Sequence, residues 1–348
     1  MKDSFANDLN AKLAHFASVG DLAGLATLIA QGANPFHGDS KALYLAARNG
    51  HVECVRLLIT ELEAWDFDAL GAAADRGHVE CVKLLIPVSE PKGNDSVALR
   101  WAAENGHAEC VKLLIPVSEP KTDSSYALRW AAFFGHTECV KLLIPVSETK
   151  DSDSATLRQS ACNGQAECVK IPTPVCEPEG SDSGVSTALR WAAENGHTEC
   201  VKLLIPASEP KDHDSAALRW AAHNGNLNEV QLLLPLSDPA AIDSCALRWA
   251  VSNNHIDCVR ILIPNSLIKH HSVVAGVLSH GDAEILSLML ASDPLFLAGR
   301  DLSDCLADAT FNDHPELASM LSCLIEHAAL TEASPAKKQR EPSSSSRL

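Results

Sequence analysis

One stretch of this chain, Ala98–Pro116, is repeated along most of its length, and this repetition limits what the chain can fold into. Its text is ALRWAAENGHAECVKLLIP. Clear copies begin at Ala127, Ala188, Ala217 and Ala246, degraded copies begin at Ala42, Ala69 and Thr156, and traces lie near Lys12, Val273 and Leu302. Successive copies are mostly 29 residues apart. A fixed period of this size predicts an array of stacked units, because one such unit cannot bury its own apolar side.

Each unit is predicted to form two short helices joined by a turn. Apolar residues fall at spacings i, i+3 and i+4 in both halves of the unit, which gives each helix one apolar stripe. The residues with this spacing are Leu99, Ala102, Ala103, Val111, Leu114 and Ile115. Gly106 between the halves can adopt the left-handed conformation that ends a helix. Asp95 and Ser96 offer N-cap oxygens to the first helix, and Pro116 is expected to end the second.

These residues resemble the ankyrin-repeat family, whose unit reads threonine-proline-leucine-histidine-x-alanine-alanine, then glycine-histidine, then valine and a leucine pair. The corresponding text here is Ala-Leu-Arg-Trp-Ala-Ala, Gly-His and Val-Lys-Leu-Leu. The resemblance covers roughly residues 12 to 330, and the copy with Gly20 and Gly32 is nearest to the family form. It implies an all-α, helix-turn-helix solenoid of about eleven repeats that binds proteins through the concave face of its first helices.

Two departures from the family pattern change the expected geometry. The family repeat has about 33 residues, so a 29-residue unit lacks about four, and the loss falls between the second helix and the next first helix. In the family this segment forms a projecting β-hairpin finger. Here it is rich in proline and charge, so we expect shortened β-fingers. Arg100 and its equivalents also replace the histidine that in the family ties the first helix to the turn.

Composition disfavours several classes of function. A net charge of −17 disfavours nucleic acid as a partner, because phosphate binding needs a basic surface. No apolar run is long enough to cross a membrane, and the polar start, Met1–Asp8, shows no Sec-type signal peptide. No phosphate-binding loop, HExxH motif or GxSxG motif occurs. We therefore expect a cytoplasmic monomer without enzyme activity, cofactor or membrane contact; secretion through an uncleaved signal stays open.

Cysteine and histidine recur at fixed places, which indicates structural roles. Seven cysteines share one position on the second helix: Cys54, Cys81, Cys110, Cys139, Cys168, Cys200 and Cys258. Equivalent helices lie about 8–10 Å apart, whereas a disulfide needs Cα atoms within about 7 Å. We therefore expect reduced, buried thiols and a reducing compartment. No C-x-x-C motif supports a metal site. The recurring histidine after the glycine, such as His107, is expected to bond backbone groups of the turn.

A tryptophan follows an arginine in five copies. The pairs are Arg100 with Trp101, Arg129 with Trp130, Arg190 with Trp191, Arg219 with Trp220, and Arg248 with Trp249. Helical spacing places each tryptophan at the edge of the apolar stripe, so we expect partial burial against the neighbouring copy. The alternative is an aromatic and cationic stripe that faces a ligand, with each arginine stacked on the tryptophan of the next copy.

The two positions after the Ala-Ala pair differ most between copies, and we call them the variable row. They leave the apolar stripe, so they are expected on the concave face. Phe133 and Phe134 replace a Glu-Asn pair there, and exposed aromatic residues are common interface anchors. The alternative is that one of them packs inward. The predicted partner-binding residues are Glu104, Asn105, Phe133, Phe134, Glu194, Asn195, His223 and Asn224.

One copy, at residues 156–187, breaks the pattern inside the predicted array, 12–330. It has Pro172 in its second helix, and three residues are inserted after that helix. Proline removes a helix hydrogen bond and clashes with the preceding turn. We expect a local defect and a hinge here, with simple decay of one copy as the alternative.

The ends are expected to differ from the array, with a lead-in at 1–11 and a disordered tail at 331–348. In the tail, Lys337, Lys338 and Arg340 resemble a short nuclear-import signal. The expected function is a protein-protein interaction scaffold. Two alternatives stay open. One is a secreted effector of a host-associated microbe that binds a host protein, which the near-identical copies and the basic tail would fit. The other is a structural spacer without a specific partner.

Overall fold

The computed structural model describes residues 2–34, 37–60, 67–147, 150–171, 184–268, 271–280, 282–294, 296–297 and 302–333. Within these ranges the chain forms 22 α-helices and six 3-10 helices and contains no β-strand. The chain divides into two compact units, Met1–His213 and Asp214–Leu348.

The first unit consists of seven helix pairs. In chain order they are α1 (Lys2–Val19) with α2 (Leu22–Ala30), α3 (His37–Arg48) with α4 (Val52–Thr60), α5 (Phe67–Asp75) with α6 (Val79–Leu85), α7 (Gly93–Glu104) with α8 (Ala108–Leu114), α9 (Thr122–Phe133) with α10 (Thr137–Leu143), α11 (Lys150–Cys162) with α12 (Ala166–Val169), and α13 (Gly184–Glu194) with α14 (Thr198–Leu204). The odd-numbered helices are the first helices of the repeats and pack on one another, and the even-numbered second helices do the same.

The second unit contains four pairs, the first of which begins two residues before the unit boundary. They are α15 (Asp212–Asn224) with α16 (Leu227–Leu233), α17 (Ala241–Ser252) with α18 (Ile256–Leu262), α19 (His271–His280) with α20 (Ala283–Ser292), and α21 (Leu302–Phe311) with α22 (Pro315–Ala333). The described helices thus form eleven pairs, which confirms the predicted all-α array of about eleven helix-turn-helix repeats.

The core of each repeat consists of the predicted stripes. In α7 and α8, Leu99, Ala103, Val111 and Leu114 are each at most 1% exposed. Alanine at two of the stripe positions lets the first helices approach closely, since packing distance depends on the side chains at the contact. Cys110 completes the stripe of α8 and is fully buried.

The segments between repeats are short turns. The helix α8 ends at Leu114, and a 3-10 turn, Ile115–Val117, follows with Pro116 inside it. Ser118 then adopts an extended conformation with φ −110°. The same 3-10 turn recurs at Ile86–Val88, Ile144–Val146, Ile205–Ala207, Leu234–Leu236 and Ile263–Asn265. The shortened finger is therefore one 3-10 turn, without a strand in the described linkers.

The predicted N-cap role of Ser96 is wrong. The helix α7 begins at Gly93, and Ser96 lies inside it, 1% exposed and with φ +55°. Its hydroxyl accepts the backbone N–H of Glu119 in the next linker, with an N···O distance of 2.9 Å. A buried backbone donor must find an acceptor, so this serine serves the neighbouring repeat rather than its own helix.

The structure also shows where the predicted boundaries fall. Residues 2–11 of the predicted lead-in belong to α1 (Lys2–Val19), in which Leu9 and Leu13 are both buried. In the irregular copy α12 has only four residues, whereas α11 and α13 still pack on each other. Pro172 lies outside the described residues, so the hinge stays a prediction. At the other end α22 continues to Ala333.

Candidate functional site

Each first helix exposes one side of its surface, which we call the first-helix face. In α7 this side carries Val97, Trp101, Glu104 and Asn105, which fall within one arc at about 100° per residue. Trp101 is 37% exposed, Asn105 is exposed, and Glu104 is half-buried. Their equivalents in other repeats define the same face. The variable row therefore lies at the surface, at the carboxyl end of each first helix.

The helix α9 is aromatic at all four of these positions. Tyr126, Trp130, Phe133 and Phe134 form what we call the aromatic face of α9. The ring centroid of Trp130 lies 5.5 Å from Tyr126, 5.2 Å from Phe133 and 5.6 Å from Phe134. The side chain of Phe134 is 45% exposed and that of Phe133 is half-buried, so neither packs into the core. The sequence interpretation missed Tyr126, although its place four residues before Trp130 was a usable signal.

Arginines flank this aromatic face. The guanidinium carbon of Arg100, from the preceding repeat, lies 4.3 Å from the Tyr126 ring centroid, and that of Arg129 lies 5.8 Å from it. The stacking of arginine on the next tryptophan, which belonged to the alternative interpretation, is found at Arg219, whose guanidinium carbon lies 5.8 Å from the Trp249 ring centroid in the second unit. Stacked arginine and aromatic rings attract each other electrostatically.

The asparagines predicted to bind a partner also hold the repeats together. Asn105 donates from Nδ2 to the Asp75 carboxylate and to the Trp101 carbonyl, both at 3.0 Å. Asn195 donates to the carbonyl oxygen of Trp191 at 2.9 Å and to Sγ of Cys162 in the preceding repeat at 3.7 Å. Glu194 is half-buried. The pKa of Cys162 is raised mainly because the thiol is buried, and the negative charge of Glu194 raises it further.

His223 and Asn224 lie in the second unit, so the structure divides the predicted patch. The imidazole of His223 packs between two tryptophans, with ring centroids 5.4 Å from Trp220 and 5.1 Å from Trp249. Its Nδ1 accepts from Asn253 Nδ2 at 3.0 Å. His223 is therefore a packing residue between two repeats, while Asn224 is exposed.

The recurring histidine bonds the preceding repeat rather than its own turn. His136 Nε2 donates to the Glu104 carbonyl oxygen at 2.9 Å, and the imidazole lies against Gly106. The equivalent bonds join His51 to Ser18, His78 to Arg48, His107 to Asp75, His197 to Cys162, His255 to His223 and His314 to Ser279. The backbone of the variable row is thus fixed in each of these repeats, whichever side chain the row carries.

The cysteine ladder consists of free, buried thiols, as predicted. Burial raises the pKa of Cys81, Cys110, Cys139, Cys200 and Cys258 to about 11. A thiol with such a pKa is a poor nucleophile at neutral pH, because the thiolate is the reactive form. Within the described ranges, no group of three or more His, Cys, Asp or Glu side chains could hold a metal ion. No helix described is long and apolar enough to span a membrane. Lys337, Lys338 and Arg340 lie outside the described residues.

Comparison with known proteins gives one family. A family model described as ankyrin repeats (three copies) matches residues 13–97, 99–171, 157–243 and 189–273. No curated protein matches the chain.

Proposed function

Since the chain belongs to the ankyrin-repeat family, we propose that it is a protein-binding scaffold whose first-helix face in the first unit holds one partner protein. The observation that carries this proposal is the aromatic face of α9. Tyr126, Trp130, Phe133 and Phe134 occupy positions where α7 has Val97, Trp101, Glu104 and Asn105. Glu104, Asn105, Glu194 and Asn195 are proposed as the polar surround of this anchor.

Two physical points support the aromatic face of α9 as the anchor. The side chain of Phe134 is 45% exposed, so its apolar area is available to a partner. Ring contacts among the four residues already hold the side chains in place, so little rotamer freedom would be lost on binding. Interface residues of this kind contribute about 2 kcal/mol or more when they act as hot spots.

The finer parts of the proposal concern setting and alternatives. We propose a cytoplasmic monomer that has no enzyme activity and binds neither nucleic acid nor membranes. The secreted-effector alternative would use the same face on a host protein, with Lys337, Lys338 and Arg340 directing nuclear import. The spacer alternative is disfavoured by the aromatic face of α9, because a spacer has no need to gather four rings on one side of a helix and to expose Phe134 among them.

Affinity capture from a cell lysate tests the proposal. The intact chain is compared with Phe133→Glu/Phe134→Asn, which restores the text of α7. The matched control is Phe311→Asn, since Phe311 is 90% exposed but lies at the end of α21, outside the first unit. We expect one partner to bind the intact chain and the control but to be lost, by about 30-fold in Kd, from the double variant. Capture by all three chains, or by none, would refute the anchor.

A further inference from the structure

The last repeat carries a groove between its two helices, which we call the terminal groove. It has a volume of about 640 Å³ between α21 and α22. Small and hydroxyl side chains form much of its lining, namely Ser303, Ala307 and Thr310 of α21 and Ala318, Ser319 and Ser322 of α22. Because α22 is the last helix that the structure describes, the terminal groove lies at the end of the second unit's stack of repeats.

The terminal groove lies on the surface that packs against the next repeat elsewhere in the array. Counted back from the turn, Ser303 and Ala307 take the positions of Ser96 and Arg100 in α7. Ser96 accepts a hydrogen bond from the next linker, and Arg100 stacks on Tyr126 of the next repeat. The terminal groove therefore continues the surface through which inner repeats contact their successors.

The side chains of the terminal groove do not suit a further repeat. Ala307 replaces an arginine, and Ser319 and Ser322 take the positions of Lys112 and Ile115 in α8. Stacked repeats bury apolar stripes against each other, whereas this surface presents mainly hydroxyl groups and small side chains. A polar segment of chain therefore fits the groove better than another helix pair.

The last repeat is strongly acidic. Residues 301–333 contain seven Asp or Glu residues and no Lys or Arg, and Arg300 is the one cation directly before them. Glu326 is exposed and lies seven residues after Ser319, which places it on the groove side of α22. The other exposed carboxylates of α21 and the first turn of α22 are Asp304, Asp308 and Glu316. These four side chains form no ion pair with any residue that the structure describes.

The residues that follow the last repeat have the opposite charge. Residues 334–348 carry four cations and one carboxylate, namely Lys337, Lys338, Arg340, Arg347 and Glu341. Charges of opposite sign attract each other within a Debye length of about 8 Å at physiological salt. The basic residues are therefore stabilised where they lie against the carboxylates around the terminal groove.

The connection is long enough for this contact. The helix α22 ends at Ala333, and Ser319 lies fourteen residues earlier, about 21 Å along the helix. Arg340 lies seven residues after Ala333, and an extended chain of that length spans about 23 Å. Residues 334–340 can thus return along α22 and bring their cations beside Glu326 and Ser319.

We propose that residues 334–348 dock in the terminal groove, where Lys337, Lys338 and Arg340 meet the carboxylates around it. One exposed ion pair contributes little, but the tether holds the basic residues at an effective concentration of about millimolar, so several pairs act together. In the docked state the three basic residues are withheld from a receptor that reads them as an import signal. This proposal goes beyond the proposed function and does not depend on the aromatic face of α9.

Limited proteolysis of the full chain by trypsin, which cleaves after Lys and Arg, tests the proposal. A synthetic peptide of residues 334–348 in the same tube gives the cleavage rate of an undocked tail, and mass spectrometry follows both. At low salt the tail of the intact chain should be cleaved at least about fivefold more slowly than the peptide, because cleavage follows the population of the open state. In about 1 M NaCl, where the Debye length is about 3 Å, the two rates should agree within about twofold.

Two matched variants locate the contact. The test variant neutralises four carboxylates of the last repeat and should lose the protection: Asp304→Asn/Asp308→Asn/Glu316→Gln/Glu326→Gln. The control neutralises four carboxylates on second helices of the first unit and should keep it: Glu80→Gln/Glu138→Gln/Glu167→Gln/Glu199→Gln. If the test variant does not fold, Ala307→Arg/Ser319→Lys, which restores the residues of α7 and α8 and adds two cations to the groove, must lower the protection at least about threefold.

Three results would overturn the proposal. If the intact tail is cleaved as fast as the peptide, it is not docked, and the groove is left to a basic segment of another protein. If the test variant and the control lose the same protection, the tail lies elsewhere on the acidic surface. If the protection rises with the concentration of the chain, the tail binds a second copy instead of its own last repeat.

Discussion

The turn between the two helices of a repeat and the variable row just before it are adjacent in sequence but constrained in opposite ways. Gly106 has φ +78°, and a Cβ atom built there would lie 2.5 Å from Nδ1 of His136. Two residues earlier, the Glu104 carbonyl oxygen accepts the hydrogen bond from that histidine, while the Glu104 side chain takes part in no ion pair among the residues that the structure describes. The histidine of the next repeat thus fixes the backbone of the variable row but does not restrict which side chain the row carries.

This comparison explains how one row can serve two purposes. In α9 the row residues Phe133 and Phe134 enlarge an exposed aromatic face. In the second unit the row residue His223 instead packs between tryptophans of two repeats and accepts a hydrogen bond from Asn253. The same backbone position supports recognition or packing, depending on which side chains the next repeat brings.

The largest effect is expected at the turn. Gly106→Ala should lower the free energy of unfolding by about 2–4 kcal/mol, because the methyl group adds a clash with His136 to the cost of a left-handed alanine. The control is Gly32→Ala, where φ is +91° but no atom lies within 4 Å of the built Cβ. It should cost only about 1–2 kcal/mol. Urea unfolding followed by circular dichroism measures both, and equal losses would show that the histidine contact contributes nothing.

Much of this fold follows from the sequence, because the period, the apolar stripes and the glycine of the turn are all local signals. The helix pairs, the buried Leu99 and Val111, and the place of the row need no more than helical spacing. Contacts between copies could not be predicted in the same way. The hydrogen bond from His136 to Glu104 and the one from Glu119 to Ser96 join residues 32 and 23 positions apart. Their partners depend on how the repeats stack.

The candidate site shows the same limit. The exposure of Phe134 follows from its place beyond the stripe, and the sequence interpretation identified it. That interpretation did not show that Tyr126 joins the same face, that Arg100 of the preceding repeat stacks on it, or that Asn105 is bonded to Asp75. Two of these contacts join neighbouring repeats, and the position of Tyr126 depends on the side-chain directions within one helix. Neither can be derived from helical spacing alone.

A second, smaller effect is expected at the recurring cysteines of the second helices, whose buried thiols make the free energy of unfolding depend on pH. Burial raises the pKa of the Cys110 thiol from 9.0 to about 11. The unfolded chain therefore loses this proton first, so the free energy of unfolding falls as pH rises above about 9 and levels off near 11. At pH 10 the ionisation of this thiol in the unfolded chain lowers the free energy of unfolding by about 1.4 kcal/mol.

Urea unfolding at pH 8 and pH 10 measures this contribution. The loss between the two pH values should be about 1.4 kcal/mol smaller in Cys110→Ala than in the intact chain. Cys323→Ala, which removes an exposed thiol of α22, is the control for the loss of one thiol. If the free energy of unfolding falls by the same amount in all three chains, the loss of stability at alkaline pH arises from groups other than the Cys110 thiol.

The smallest effect is expected within the variable row and decides how much of it is free for a partner. Asn105→Ala should cost about 0.5–1 kcal/mol, because the amide joins α7 to Asp75 of the preceding repeat. Glu104→Ala should cost less than about 0.5 kcal/mol, as surface substitutions without such a bond usually do. A double-mutant cycle of Asn105→Ala with Asp75→Ala isolates the bond across the repeats. The cycle compares the effect of Asn105→Ala in the intact chain and in Asp75→Ala, so a coupling near zero would mean that Asn105 is held only by its own helix. Both row positions of α7 would then be available for recognition, as both are in α9.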